Sequence, residues 1–167
     1  MRKRILFVID SLHCAGAEKS LTTLLSLLDY SKYSVDLQLF AYGGLLEQFV
    51  PKEVNILKPL PYMEFTALPL KDALLLSKSR INLKMLFSRI RYSVSIRAGK
   101  YNNAQKAGIF WQSVRNCISP NPVVYDIAIS YAQGVPTFYV AEKVKAAKKV
   151  AWVNVSYRLD EKERKFQ

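Results

Sequence analysis

The sequence is poor in the residues that build metal and disulfide sites. Its whole supply is two cysteines, Cys14 and Cys117, and one histidine, His13. Two thiols make no disulfide framework, and one imidazole beside them makes no zinc set. Neither a metal nor a cofactor is expected. No run of 18 uncharged apolar residues occurs, so no transmembrane helix is expected. The apolar run after the basic start ends at Asp10, too soon for a signal-peptide core. These absences point to a reducing cytoplasm. Glycine (6) and proline (7) are too few for collagen or a low-complexity linker. Negative charge is also missing in one place: no acidic residue lies between Asp72 and Asp126.

What is present is the makings of one globular domain. Of 167 residues, 50% are apolar and 23% charged, enough to bury a sizeable core. The net charge is +12, and nine of the cations lie in the acid-free middle. Such a block implies an anionic partner.

The rhythm of the chain is that of an α/β protein. KRILFVID at 3–10 is apolar on both faces, the mark of a buried parallel strand. Leu21, Leu24, Leu25 and Leu28 repeat at helical spacing, predicting a helix over 16–29. Strands follow at 34–41 and 54–57, with a short helix at 45–50 between them. The prolines Pro59, Pro61 and Pro69 predict a loop over 59–69. Residues 70–98 and 104–117 read as helices, with Asn102 and Asn103 as the turn between them. The β/α alternation returns with a strand at 125–131, a helix at 136–146 and a strand at 148–153. The charged tail, 157–167, reads as a frayed helix or as the beginning of a further element. The expected fold is a doubly wound sheet of about five parallel strands with a basic helical insertion at about 70–118.

In open α/β sheets the ligand sits at the carboxyl ends of the strands. Function is therefore expected in the loops at 10–18, 42–44, 131–134 and 154–157. The first loop feeds a helix N-terminus, where free N–H groups and the dipole favour a phosphate. Gly16 allows backbone to approach such a ligand closely. Neither G-x-G-x-x-G nor a P-loop is present, and a plain turn with Glu18 serving the helix dipole stays an open alternative.

Two stretches have a family look. RILFVIDSLHCAGAEKSLTTLLSLLD resembles the opening of glycosyltransferase family 4, with its G-G-A-E-x-x-L loop. YDIAISYAQGVPTFYVAEKVKAAKKVAWVN is similar to the later part of the same N-terminal domain, which ends in W-[VI]-H. The resemblance covers roughly 1–58 and 123–157. It implies a Rossmann-like three-layer α/β/α domain, half of a GT-B architecture. Residues 1–167 would be the N-terminal, acceptor-side domain, and the C-terminal donor-binding domain would be absent. The implied activity is retaining transfer of a sugar from a nucleotide-sugar donor. The acceptor would be a membrane-presented glycan or lipid-linked molecule in surface or capsular polysaccharide synthesis. The fragment alone would be inactive. Gly16 and Ala17 would meet the donor phosphates, and Gln133 and Gly134 the acceptor. Two positions depart from the family pattern. Ala15 replaces a glycine, and Asn154 stands at the catalytic-site histidine. Asparagine hydrogen-bonds but cannot titrate near neutral pH, so no proton-transfer role carries over to it.

Several residues have plainer readings. His13 has no identifiable partner, so it reads as an ordinary loop residue. Cys14, beside a helix N-terminus, reads as a bystander. Trp152 is expected in the core. Gln133 and Gly134 are equally well read as a turn before Pro136.

The basic insertion carries the second functional expectation. Leu83, Leu86, Phe87, Ile90 and Val94 fall on one helical stripe, flanked by Arg80, Lys84, Arg91 and Arg89. An apolar face with basic flanks is the pattern of an interfacial helix on an anionic membrane. A core helix shows the same stripe. The expected site is the inner face of the cell membrane, with the protein held there peripherally. The alternative is a non-catalytic domain docking on an anionic membrane or partner protein. Nucleic acid is not expected, because basic and aromatic residues are not interleaved in a strand-binding pattern.

Overall fold

The structure, a computed structural model, describes residues 2–69, 71–72 and 80–154, with backbone alone at 80–82. The expected tail helix at 157–167, the part of the expected 70–98 helix at 73–79, and the side chain of Arg80 lie outside these residues. The described residues form two compact units, divided between Pro59 and Leu60 and between Ser119 and Pro120.

The first unit is a five-stranded, all-parallel sheet in the order β3–β2–β1–β4–β5. Its strands are β1 (Lys3–Ile9), β2 (Tyr33–Leu39), β3 (Asn55–Ile56), β4 (Val124–Ser130) and β5 (Lys145–Ala151). Two helices connect them: α1 (Gly16–Ser26) between β1 and β2, and α5 (Val135–Lys143) between β4 and β5. This is a Rossmann-like α/β fold.

The continuous apolar run of β1 makes it the middle strand. Ile5, Phe7 and Ile9 join Leu21 and Leu25 of α1 in one buried cluster. Leu6 and Val8 alternate to the other face and are fully buried as well. Burying each such side chain contributes about 1.5–3 kcal/mol. The edge strand β5 contrasts with this. Lys145, Lys148 and Lys149 are exposed along it, charges that discourage pairing with a foreign strand.

A polar clasp ties the sheet crosswise near its middle. Asp36 of β2 accepts from the Tyr125 hydroxyl of β4 at 2.8 Å and from Asn55 of β3 at 2.7 Å. Arg4 of β1 stacks over the Tyr125 ring at 5.6 Å, and its backbone N–H donates to Asp126 at 2.7 Å. Burial, then the hydrogen bond to Asp36 and its charge, raises the Tyr125 pKa.

The second unit is helical. It contains α2 (Pro61–Ala67), α3 (Arg80–Arg97) and α4 (Asn103–Val114). The expected loop at 59–69 is therefore corrected to a helix. Pro61 sits in its first turn, where a missing N–H costs nothing, and Pro69 lies just beyond its end. The prolines bracket the helix instead of breaking it. The expected turn at Asn102 is the cap of α4. Asn102 Oδ1 accepts from Gln105 N–H at 2.8 Å, and Gln105 Oε1 accepts from Asn102 N–H at 3.0 Å. Helices α3 and α4 run antiparallel. Ser88 donates to the Ser113 carbonyl, Cys117 lies 3.6 Å from the Lys84 carbonyl, and Tyr92 meets Phe110 edge to face at 5.2 Å.

The expected helix at 45–50 is a single 3₁₀ turn, Glu47–Phe49. Glu47 turns back to accept from Gly44 N–H at 2.8 Å. Gly44 packs its backbone tightly against the first loop. A Cβ there would lie 2.3 Å from the Leu12 carbonyl oxygen. The same contact region holds the Leu46 N–H to Leu12 carbonyl bond, 2.9 Å. We expect Gly44→Ala to lower unfolding free energy by about 1–3 kcal/mol, the usual range for overpacking. Gly16→Ala serves as the control, because a Cβ at Gly16 meets nothing within 4 Å. Denaturant melts of the two variants read the contrast, and equal stability would show that the loop yields freely at Gly44.

Candidate functional site

Strand order reverses at β1. The connection leaving β1 runs outward to β2, while β4, on its other side, leads outward to β5. Such a reversal opens a crevice between the loops at the carboxyl ends of the two central strands. Here those loops are 10–15, after β1, and 131–134, after β4. The residues after β5, 152–154, adjoin the second loop.

Tyr131 organises this rim. Its N–H donates to the Val8 carbonyl at 2.7 Å, continuing the β1–β4 ladder. Its hydroxyl pairs with Ser20 Oγ of α1 at 2.8 Å. Its carbonyl accepts from Asn154 Nδ2 at 2.5 Å. Its ring stacks on Trp152 at 5.1 Å, 16° from parallel. The ring is buried, whereas Trp152 keeps 44% of its surface exposed. Trp152 is thus corrected from core residue to rim residue. The β-ladder ends one residue before it, so its side chain stands beyond the packed part of the sheet.

The first loop is held by its own backbone. Phe40 N–H and Ala41 N–H both donate to the Asp10 carbonyl, at 3.0 and 2.8 Å. Ala15 caps α1 in an extended conformation, φ −117°. Alanine fits such a backbone without strain, so a glycine is not needed there. Glu18 reaches back from the first turn. It accepts from Ala15 N–H at 2.5 Å and from Ser11 Oγ at 2.8 Å. A carboxylate therefore already lies at the positive end of the helix. Gly16 and Ala17 contribute N–H groups of the first turn, which have no acceptor within the helix.

Asp10 is the perturbed acid of the loop. Its side chain keeps contact with solvent. Desolvation among the surrounding protein atoms, then the Glu18 charge, raises its pKa from 3.8 to about 6. Two acidic groups thus stand at the crevice, and the second is half discharged near pH 6.

The second loop owes its shape to Gly134. Its φ of +87° with ψ of −124° is a conformation open essentially to glycine alone. Pro136 then starts α5 in its first turn. Thr137 Oγ1 closes the loop by donating to the Ala132 carbonyl at 3.1 Å. Gly134 is therefore required by the chain itself, whatever the loop binds.

The structure brings Gly16 and Ala17, in the first turn of α1, and Gln133, Gly134 and Asn154, in loops, to the carboxyl ends of the strands. Asn154 directs its amide N–H to Tyr131 and keeps its carbonyl oxygen. His13 and Cys14 are exposed on the first loop. The basic residues lie in the other unit. Lys84 and Arg91 are exposed, but Arg89 donates to the Leu68 carbonyl at 3.0 Å, at the carboxyl end of α2. Asp10 and Tyr131 open two of the loops expected to carry function, but the sequence assigns neither of them a role of its own. Each immediately follows or closes a buried strand at its carboxyl end, a position that marks rim residues in this fold.

Asp10 makes stability depend on pH in a defined direction. Its folded pKa lies above its unfolded value, so the folded state binds the proton more tightly. The associated stability is full below about pH 4 and is lost as pH rises through about 6. Asp10→Asn has no such titration. We expect its melting temperature to exceed the parent's by a margin that grows between pH 4 and pH 7. A constant margin would show that Asp10 titrates as it does in the unfolded chain.

Among the described residues no group of His, Cys, Asp and Glu could hold a metal ion. No protein-family model and no curated protein matches the chain.

Proposed function

We propose that the chain is the acceptor-side half of a retaining, GT-B-type glycosyltransferase. In this reading it works on the inner face of a membrane and passes a sugar from a nucleotide sugar to a membrane-presented glycan or lipid-linked acceptor. The product belongs to a surface polysaccharide. One observation carries the reading: the loops that resemble glycosyltransferase family 4 meet at the crevice where the strand order reverses.

The residues there suit positioning and electrostatic stabilisation more than proton transfer. The amides of Gly16 and Ala17 offer donors to the leaving diphosphate. The Asn154 carbonyl oxygen accepts from a sugar hydroxyl, while its amide is fixed by Tyr131. Trp152 presents an aromatic surface on the same rim. The nucleotide is held by a second domain outside these 167 residues. Asp10 and Glu18 oppose an anion here, so a diphosphate binds best when Asp10 is protonated or when the partner domain supplies cations.

A second reading has one specific observation behind it. No titratable side chain stands at position 154, and the amide there already serves Tyr131. The chain would then be a non-catalytic docking domain.

Amide-resolved NMR titration with pyrophosphate tests the phosphate site. Shifts are expected at Gly16 and Ala17. Gly16→Val should abolish them with little change in melting temperature, because that Cβ position is open. Asp10→Asn should bind pyrophosphate more tightly than the parent at pH 7, since one repelling charge is gone. Absence of shifts at 15–18 would remove the donor-phosphate assignment. The chain alone should turn over no nucleotide sugar, and turnover by it would overturn the half-enzyme reading.

A further inference from the structure

Helix α3 is apolar on two faces, and only one of them is buried. Met85 and Leu86 are buried, with Ser88 between α3 and α4. Leu83, Phe87, Ile90 and Val94 lie at 52, 70, 49 and 62% exposure. Their spacing of four, three and four residues places them on one line along about 17 Å of helix. Leu86, expected on this stripe, belongs to the buried side. Single exposed apolar residues are ordinary, but four in a row on one helix are a patch.

A groove runs along one border of that stripe. It has a volume of about 510 Å³ and lies between α3 and the end of α4. Lys84 and Arg91 line it from α3, and Ser113, Asn116 and Cys117 line it from the other side. None of its lining residues is acidic, and the sequence has no acidic residue from 73 to 125. Two cations and an amide are thus gathered beside an exposed line of aliphatic and aromatic side chains.

We infer that this face binds the surface of an anionic phospholipid bilayer, with a headgroup phosphate in the Lys84–Arg91 groove and the Leu83–Phe87–Ile90–Val94 stripe among the upper acyl carbons. The charge pattern selects this occupant. A phosphodiester headgroup supplies the anion and its own chains supply the apolar partner, side by side. A second copy of the chain would set the same cations against each other. Among the described residues no helix is long and apolar enough to cross a membrane, so the contact lies in the interface plane. Arg89 takes no part, because it is turned to Leu68. The inference deepens the peripheral-membrane part of the proposed function and does not depend on sugar transfer.

Cosedimentation of the whole chain with vesicles tests it. The vesicles are phosphatidylcholine alone, or phosphatidylcholine with about one-third phosphatidylglycerol. The parent should partition onto the anionic vesicles and not the neutral ones, and binding should fall with added salt. Lys84→Gln with Arg91→Gln should weaken partition at least about tenfold. Lys145→Gln with Lys148→Gln, on the exposed edge of β5, removes the same charge elsewhere and should change it less than about threefold. Phe87→Ser with Val94→Ser should weaken binding while the charge is kept. All these side chains are exposed, and circular dichroism confirms that each variant folds. Equal losses in the two charge pairs would overturn the groove and leave only diffuse attraction, with the peripheral-membrane reading intact. Full binding by the Phe87/Val94 variant would overturn the apolar contact. No binding of the parent to either vesicle would overturn the whole inference and leave the face to an acidic protein. None of these readouts involves a nucleotide sugar, so they stand apart from any failure of the transferase reading.

Discussion

The parallel pairing of β1 with β2 on one side and β4 on the other governs the sheet unit. A central parallel strand must bury both faces, and the run from Ile5 to Ile9 does so. Once β1 is central, the chain can leave it in only one direction and must return on its other side through β4. The two loops that face each other across that reversal are then fixed by topology, not by their own sequences. Their details are local adjustments. Gly134 supplies an unusual backbone angle, Gly44 supplies a missing side chain, and Tyr131 joins the pieces through its backbone, hydroxyl and ring.

The crevice is more acidic than its position suggests. A helix N-terminus in this fold is a natural seat for phosphate. Here Glu18 bonds the Ala15 amide that an external anion would otherwise use. Desolvation, then the nearby Glu18 charge, makes Asp10 hold its proton to a higher pH. The electrostatic field of the crevice therefore changes most between weakly acidic and neutral conditions. Among the described residues most cations lie elsewhere, on the helical unit and the β5 edge.

The sheet could be read from the sequence because its signals are local. The apolar run of β1, the leucine spacing of α1 and the Gly134–Pro136 turn each carry their own meaning. What could not be read depends on neighbours distant in the chain. Pro59, Pro61 and Pro69 signal either a loop or a bracketed helix, and burial of Tyr62 and Phe65 decides for the helix. Leu86 and Phe87 are adjacent apolar residues, and only the packing of α4 shows that one is buried and one is not. Arg89 and Arg91 are both basic, yet half a turn of rotation sends one to a carbonyl and leaves the other in solvent. At the crevice, Asp10 looks like a strand terminator until the fold sets protein atoms and the Glu18 charge around it. The contact of Gly44 with Leu12 crosses 32 positions of sequence, beyond the reach of any local pattern.

The two tryptophans divide between the two units. Trp111 is 3% exposed in the helical unit, and Trp152 is 44% exposed at the rim, stacked on Tyr131. The indoles therefore sit in different solvent environments, one dry and one wet. Their emission separates by wavelength, with the buried ring toward the blue and the exposed ring toward the red. A soluble quencher such as iodide reaches Trp152 before Trp111. The chain thus carries an intrinsic optical label on each unit, so loosening of the helices and occupation of the crevice can be followed independently without adding a dye.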